Sequence, residues 1–149
     1  MLDVEMPLRF FTFREQWQSF SGNSRGAMDD FMARHRKLSK PDLQKLETQF
    51  NSALQNCSNL WGEHAFRRYS AGTFRDQFLA SIYDAQMIAV EQLTKAELLN
   101  AHKRKSELLT ATKKLFQDKR FEESVRASTN TPSRVRYRID AVTNLLKTI

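Results

Sequence analysis

One cysteine, three prolines and four glycines are all that this 149-residue chain carries of those types, and each scarcity excludes something. A lone Cys57 rules out an internal disulfide framework and any metal site built from several cysteines. Its place on an apolar helical stripe marks a small core residue. So few Gly and Pro cannot supply the tight turns that many short strands demand, so long helices are expected. No run of about 18 uncharged apolar residues exists, so no membrane-spanning helix is expected. The first residues carry Asp3 and Glu5 where a secretory leader would have an apolar core. A cytoplasmic protein is the expectation.

Catalytic patterns are missing too. His35, His64 and His102 lie far apart, without companion ligands at metal-binding spacing, and there is no H-E-x-x-H or Cys/His cluster. No glycine-rich phosphate loop occurs; Gly22, Gly26, Gly62 and Gly72 fit turns and helix ends. No acid is followed two residues later by lysine, which removes half of a common metal-dependent nuclease signature. No nucleophile–base pair can be nominated. The expectation is a chain that is not an enzyme, with no cofactor and no metal.

What is present is helical periodicity. Hydrophobic residues make up 40% of the chain and charged residues 28%, ordinary for a globular domain of this length. Phe10, Phe13, Trp17 and Phe20 share one face of a segment from Pro7 to Phe20. That face is aromatic enough to suggest packing against a neighbour that precedes it. A short helix follows over Ala27 to Lys37, with Met28, Phe31 and Met32 inward. Ser39-Lys-Pro-Asp42 then reads as an N-cap, a proline in the first turn and an acid at the positive end of the helix dipole. From there Leu43, Leu46, Phe50, Ala53, Leu54, Cys57, Leu60 and Trp61 form one stripe, stopped by Gly62. Residues 63–73 read as irregular or as a short helix. A central helix is expected from Ala71 or Thr73 to Val90, apolar over more than half its circumference. Thr94-Lys-Ala-Glu97 is a capping box that opens a helix expected to run to Asp118. Lys119 to Ala127 and Thr131 to Leu146 complete the set. The expected fold is all-α: residues 1–149 as a single-domain, irregular bundle of about six helices.

Charge is unevenly spread. Residues 1–64 hold 8 Lys/Arg against 8 Asp/Glu, whereas residues 65–149 hold 16 against 9, so the whole excess of +7 lies in the second part. Such asymmetry suits an acidic partner, nucleic acid first. Candidate phosphate contacts are Arg68, Lys103, Arg104, Lys105, Arg134 and Arg136, with Tyr69 or Tyr137 available to stack on a base. No groove-reading helix-turn-helix pattern is complete. Asp84, alone in the most apolar helix, needs a counter-charge once buried. Arg67 and Arg138, each bordered by apolar residues, are the two candidate partners in a structural ion pair.

Several of these pieces occur in a familiar order. Arg9-Phe-Phe-x-x-Arg14 is followed by a long helix ending Leu60-Trp-Gly62. Then come Glu63-His-Ala-Phe-Arg-Arg68, Ile82-Tyr-Asp-Ala85, and Thr131-Pro-Ser-Arg-Val-Arg-Tyr-Arg138. This resembles the C-terminal helical portion of the GmrSD-type restriction family (domain of unknown function 262), over about Leu8 to Leu146. The N-terminal part of that family has a ParB/sulfiredoxin-like fold. The resemblance implies a role in DNA restriction and anti-phage defence. It also implies two partners: DNA, and a ParB-like nuclease domain in cis or in trans. The family's D-G-Q-Q-R motif is absent here, as is an H-N-H nuclease module, so no catalytic residue carries over. The expected function is a non-catalytic helical module that packs on a ParB-like domain and offers basic surface to DNA. An independent helical DNA-binding or regulatory protein is the alternative, and a standalone nuclease comes last.

Overall fold

The computed structural model describes residues 2–149. In chain order they form α1 (Leu2–Gln16), α2 (Ser24–Arg34), α3 (Lys40–Trp61), a 3-10 turn at Gly62–His64, β1 (Arg67–Ser70), β2 (Thr73–Phe78), α4 (Ala80–Glu91), α5 (Lys95–Lys103), α6 (Lys105–Leu115), α7 (Lys119–Arg126) and α8 (Pro132–Thr148). The protein is mainly α-helical. Among the described residues there are eight helices rather than about six, and a two-stranded antiparallel sheet lies outside the all-α expectation.

The helix starts follow local chemistry. Asn23 Oδ1 accepts from Gly26 N (2.9 Å), Ser39 Oγ from Asp42 N (3.3 Å) and Asp118 Oδ1 from Phe121 N (2.7 Å). Thr94 and Glu97 close a reciprocal capping box at the start of α5. Burial and the Lys147 charge are secondary there: the Thr94 N–H, then its hydroxyl, hold Glu97 below the usual carboxylate range. Gly62 ends α3 at φ +61°, where a side chain would be strained.

α4 is the centre. Every residue from Ser81 to Val90 is buried, and α1, α3, α7 and α8 pack around it. A helix closed in on all sides must pair each polar group inside the protein. Ser81 Oγ donates to Val125 O (2.5 Å), Tyr83 OH to Met6 O (2.8 Å), and Gln86 Oε1 accepts from Phe66 N (2.7 Å). These bonds fix α4 against α7, α1 and the approach to β1. Trp61 Nε1 adds a link from α3 to Thr112 Oγ1 of α6 at 3.0 Å.

The segment 63–78 departs most from expectation. Its residues 67–78 form a β-hairpin, and the central helix starts at Ala80, so Phe78 and Leu79 are not helical. Ala71 (φ +51°) and Gly72 (φ +81°) both occupy the left-handed region in the two-residue turn between Ser70 and Thr73, the pattern of a type I′ turn. Phe66 is also left-handed, at φ +64°. That conformation is clamped from several sides. Its N–H bonds Gln86, its carbonyl accepts from Leu79 N (3.1 Å), and its ring meets Tyr83 edge-on at 5.1 Å. The Glu63-His-Ala-Phe-Arg-Arg68 stretch is thus a hinge that turns α3 into the hairpin.

Four further expectations are corrected. The helix expected over 94–118 breaks at Arg104 (φ −112°, ψ 36°), separating α5 from α6. Along the α3 stripe Ala53, Cys57, Leu60 and Trp61 are buried and Leu46, Phe50 and Leu54 only partly so, while Leu43 is 53% exposed. Met32 of α2, expected inward, is 49% exposed. Most telling is α1. Phe10, Phe13, Trp17 and Phe20 lie inside the core with α3, α4 and α8 residues, so this aromatic face is covered by the chain itself.

Candidate nucleic-acid-contact surface

The only acidic residue of the buried part of α4 organises the charged interior. Arg9 Nε lies 2.9 Å from Asp84 Oδ1 and Arg9 Nη2 2.6 Å from Oδ2, a bidentate pair. Arg138 Nη2 approaches Oδ2 at 3.4 Å from the other side. Arg138 is wholly buried, and its Nη1 also donates to Thr129 O (2.6 Å) and Ser124 O (3.2 Å). One carboxylate thus joins α1, α4 and α8, and Arg138 carries the link on to the end of α7. Burial pulls the Arg9 pKa down, but the Asp84 charge and hydrogen bonds outweigh it and the net shift is upward. For Arg138 burial dominates, opposed by Asp84 and reinforced by Arg9, and the shift is downward.

Arg67, the other partner expected for Asp84, is not there. It pairs with Asp76 across the hairpin at 2.8 Å, because the turn at Phe66 carries β1 away from the core. Arg9 was missed as the true principal partner. Its signal was in the sequence: with Met6, Phe10 and Phe13 it falls on the inward stripe of α1, a lone cation on an apolar face. Its guanidinium sits 5.3 Å from the centre of the Phe13 ring.

The six candidate phosphate contacts divide into two groups. Arg134 and Arg136 serve the fold. Arg134 Nη1 donates to Glu123 O (3.1 Å) and Ala127 O (2.5 Å), satisfying carbonyls at the C-terminal end of α7. Arg136 Nη1 reaches Gln18 O at 3.4 Å. Arg68 is half-buried against Glu122. Lys103, Arg104 and Lys105 instead stand exposed at the corner between α5 and α6. Arg104 is tied to Glu107 through two nitrogens, while Lys103 and Lys105 have no ion-pair partner among the described residues.

Two lysines not among those six extend this corner along α6. Lys114 shares an open groove of about 490 Å³ with Arg104, Glu107 and the end of α8. Lys113 lies 5.7 Å from the centre of the Tyr69 ring on the hairpin. His102 is held below its ordinary value by burial and by Lys105. It therefore adds no charge to this surface at neutral pH.

Two further observations bear on chemistry. Cys57 is fully buried, and burial, then the Glu91 charge, push its thiol well up. Among the described residues no three His, Cys, Asp or Glu side chains are grouped so as to hold a metal ion, and no helix is long and apolar enough to cross a membrane. No family model, curated protein or solved structure matches the chain.

Proposed function

We propose that the chain is a non-catalytic helical module of a GmrSD-like DNA restriction and anti-phage system, which packs on a ParB-like domain and offers basic surface to DNA. The observation that carries the DNA part is the corner of α5 and α6. Lys103 and Lys105 stand there in solvent with no acidic partner among the described residues, and Lys113 and Lys114 continue the charge along α6. Lysines free of internal partners can exchange counterions for phosphates, which is the main source of affinity for a nucleic-acid backbone.

A specific observation supports the second reading, an independent helical DNA-binding or regulatory protein. Phe10, Phe13, Trp17 and Phe20 are already covered. The large apolar side chains left in solvent, Val4, Met32, Leu43, Phe78 and Leu99, sit on five different elements. Scattered singly, such residues are ordinary surface.

The test is fluorescence anisotropy of a labelled DNA duplex with the intact chain, between about 50 and 200 mM salt. Affinity should fall steeply with salt, and Lys103→Ala with Lys105→Ala should reduce the slope of log K against log salt by about two. No binding at the lowest salt removes both readings. A ParB-like domain supplied in trans separates them: co-elution supports the module, and DNA binding without co-elution supports the independent protein.

A further inference from the structure

Beneath the hairpin lies a second concave surface, of about 360 Å³, that the lysine corner does not include. Arg68, Gln77, Ala80, Ser81, Arg126 and Thr129 line it. Tyr69 stands across from Phe74, and between that pair and Arg67–Phe78 the residues Arg75, Asp76 and Gln77 of β2 stand opposite Arg68 alone. Gln77 lines the groove, and Arg75, two residues nearer the tip, is exposed and has no ion-pair partner among the described residues.

Arg68 enters through an irregularity of the strand. The register slips between Arg67 and Tyr69, and the guanidinium of Arg68 turns onto Glu122 of α7. Its Nε–H has no acceptor among the described residues. Arg126, from the last turn of α7, reaches the same Glu122 at 3.4 Å. Arg68 and Arg126 therefore share one carboxylate, and with Arg75 on the neighbouring strand a net charge of about +2 gathers beside a concave wall whose remaining lining is Gln77, Leu79, Ala80, Ser81, Val125 and Thr129. The other face of the hairpin is closed: His64 stacks on Phe74 at 4.3 Å, and Phe74 meets Tyr69 edge-on at 5.1 Å. That aromatic side stiffens the ribbon and leaves the arginine side for a partner.

We propose that this face grips the sugar–phosphate backbone of duplex DNA, with Arg75 and Gln77 on the hairpin side and Arg126 on the α7 side. The inference rests on the DNA reading above and locates a second contact for it. Arginine forks match phosphate oxygens in pairs, and a two-stranded ribbon is narrow enough to lie against or within a major groove.

The experiment compares three forms of the full chain on the same labelled duplex across the same salt range: unaltered, Lys103→Ala with Lys105→Ala, and Arg75→Ala with Arg126→Ala. The hairpin pair should weaken binding about tenfold and lower the salt slope by about two, as two phosphate contacts would. Arg75→Ala alone, which breaks no ion pair, should lower it by about one; it keeps the test valid if the double variant unfolds. An unchanged slope in Arg75→Ala, with the lysine pair still weakening binding, overturns this inference and leaves the DNA reading standing. Failure of the unaltered chain to bind overturns both.

Discussion

Asp84 shows how much a single buried charge can organise. Its side chain is fully shielded from solvent and serves two arginines. Arg138 keeps two carbonyl acceptors besides the carboxylate, whereas Arg9 depends on Asp84 through both nitrogens. Removing the carboxylate charge would leave two buried guanidinium groups facing each other. Asp84→Asn is therefore expected to destabilise the protein by about 3–5 kcal/mol, the range for breaking a buried ion pair from one side. Urea unfolding followed by circular dichroism measures this; a loss under about 1 kcal/mol would show that the carboxylate charge is not what holds α1, α4 and α8 together. The need for a partner was legible in the sequence, since a lone acid in an apolar helix must be paired. Which arginine answers it was only half legible. Arg9 and Arg138 both sit on apolar stripes, but nothing in one sequence says which stripes meet across 75 or 54 positions.

At the scale of elements, caps were readable and interruptions were not. Ser39, Thr94 and Asp118 bond the first-turn amides of their helices, and such side chains act within a few residues of themselves. The hairpin escaped because its turn is Ala71-Gly72, without the Asn or Asp that usually marks a type I′ turn. Phe78 and Leu79 also fall in phase with the apolar positions of α4, which extends the apparent helix backward. The break at Arg104 has no Gly or Pro to announce it, so Lys103 and Lys105 reach the corner of two helices without a local signal. Ala71 at φ +51° is the weak point of the turn, because a β-carbon disfavours the left-handed region while Asn tolerates it. Ala71→Asn is accordingly expected to stabilise the protein by about 0.5–1 kcal/mol. The gain should appear as a higher urea midpoint at unchanged slope, and a lower midpoint would contradict the assigned turn.

Across the whole molecule, the question is whether α1 belongs to the same cooperative unit as the helices after the hairpin. Four large aromatics of residues 10–20 lie in one continuous core with Leu60, Ile88, Val135 and Ile139. The Arg9–Asp84 pair and the Tyr83 hydroxyl on Met6 O fasten the same segment by polar contacts. Burial of this size dominates folding, at about 1.5–3 kcal/mol for each large apolar side chain. The charge asymmetry does not oppose it, because the basic excess of residues 65–149 lies mostly on exposed faces while the interior joins both halves. The two tryptophans allow a direct test, since Trp17 follows α1 and Trp61 ends α3, and both are buried. In Trp61→Phe the fluorescence reports only Trp17, and in Trp17→Phe only Trp61. Within each variant, fluorescence and helical circular dichroism are expected to give one coincident urea transition, as a two-state domain requires. In Trp61→Phe, a Trp17 signal lost at lower urea than the helical signal would mean that α1 detaches on its own. The aromatic face of α1 would then be available to a partner domain, and the reading as an independent protein would lose its main support.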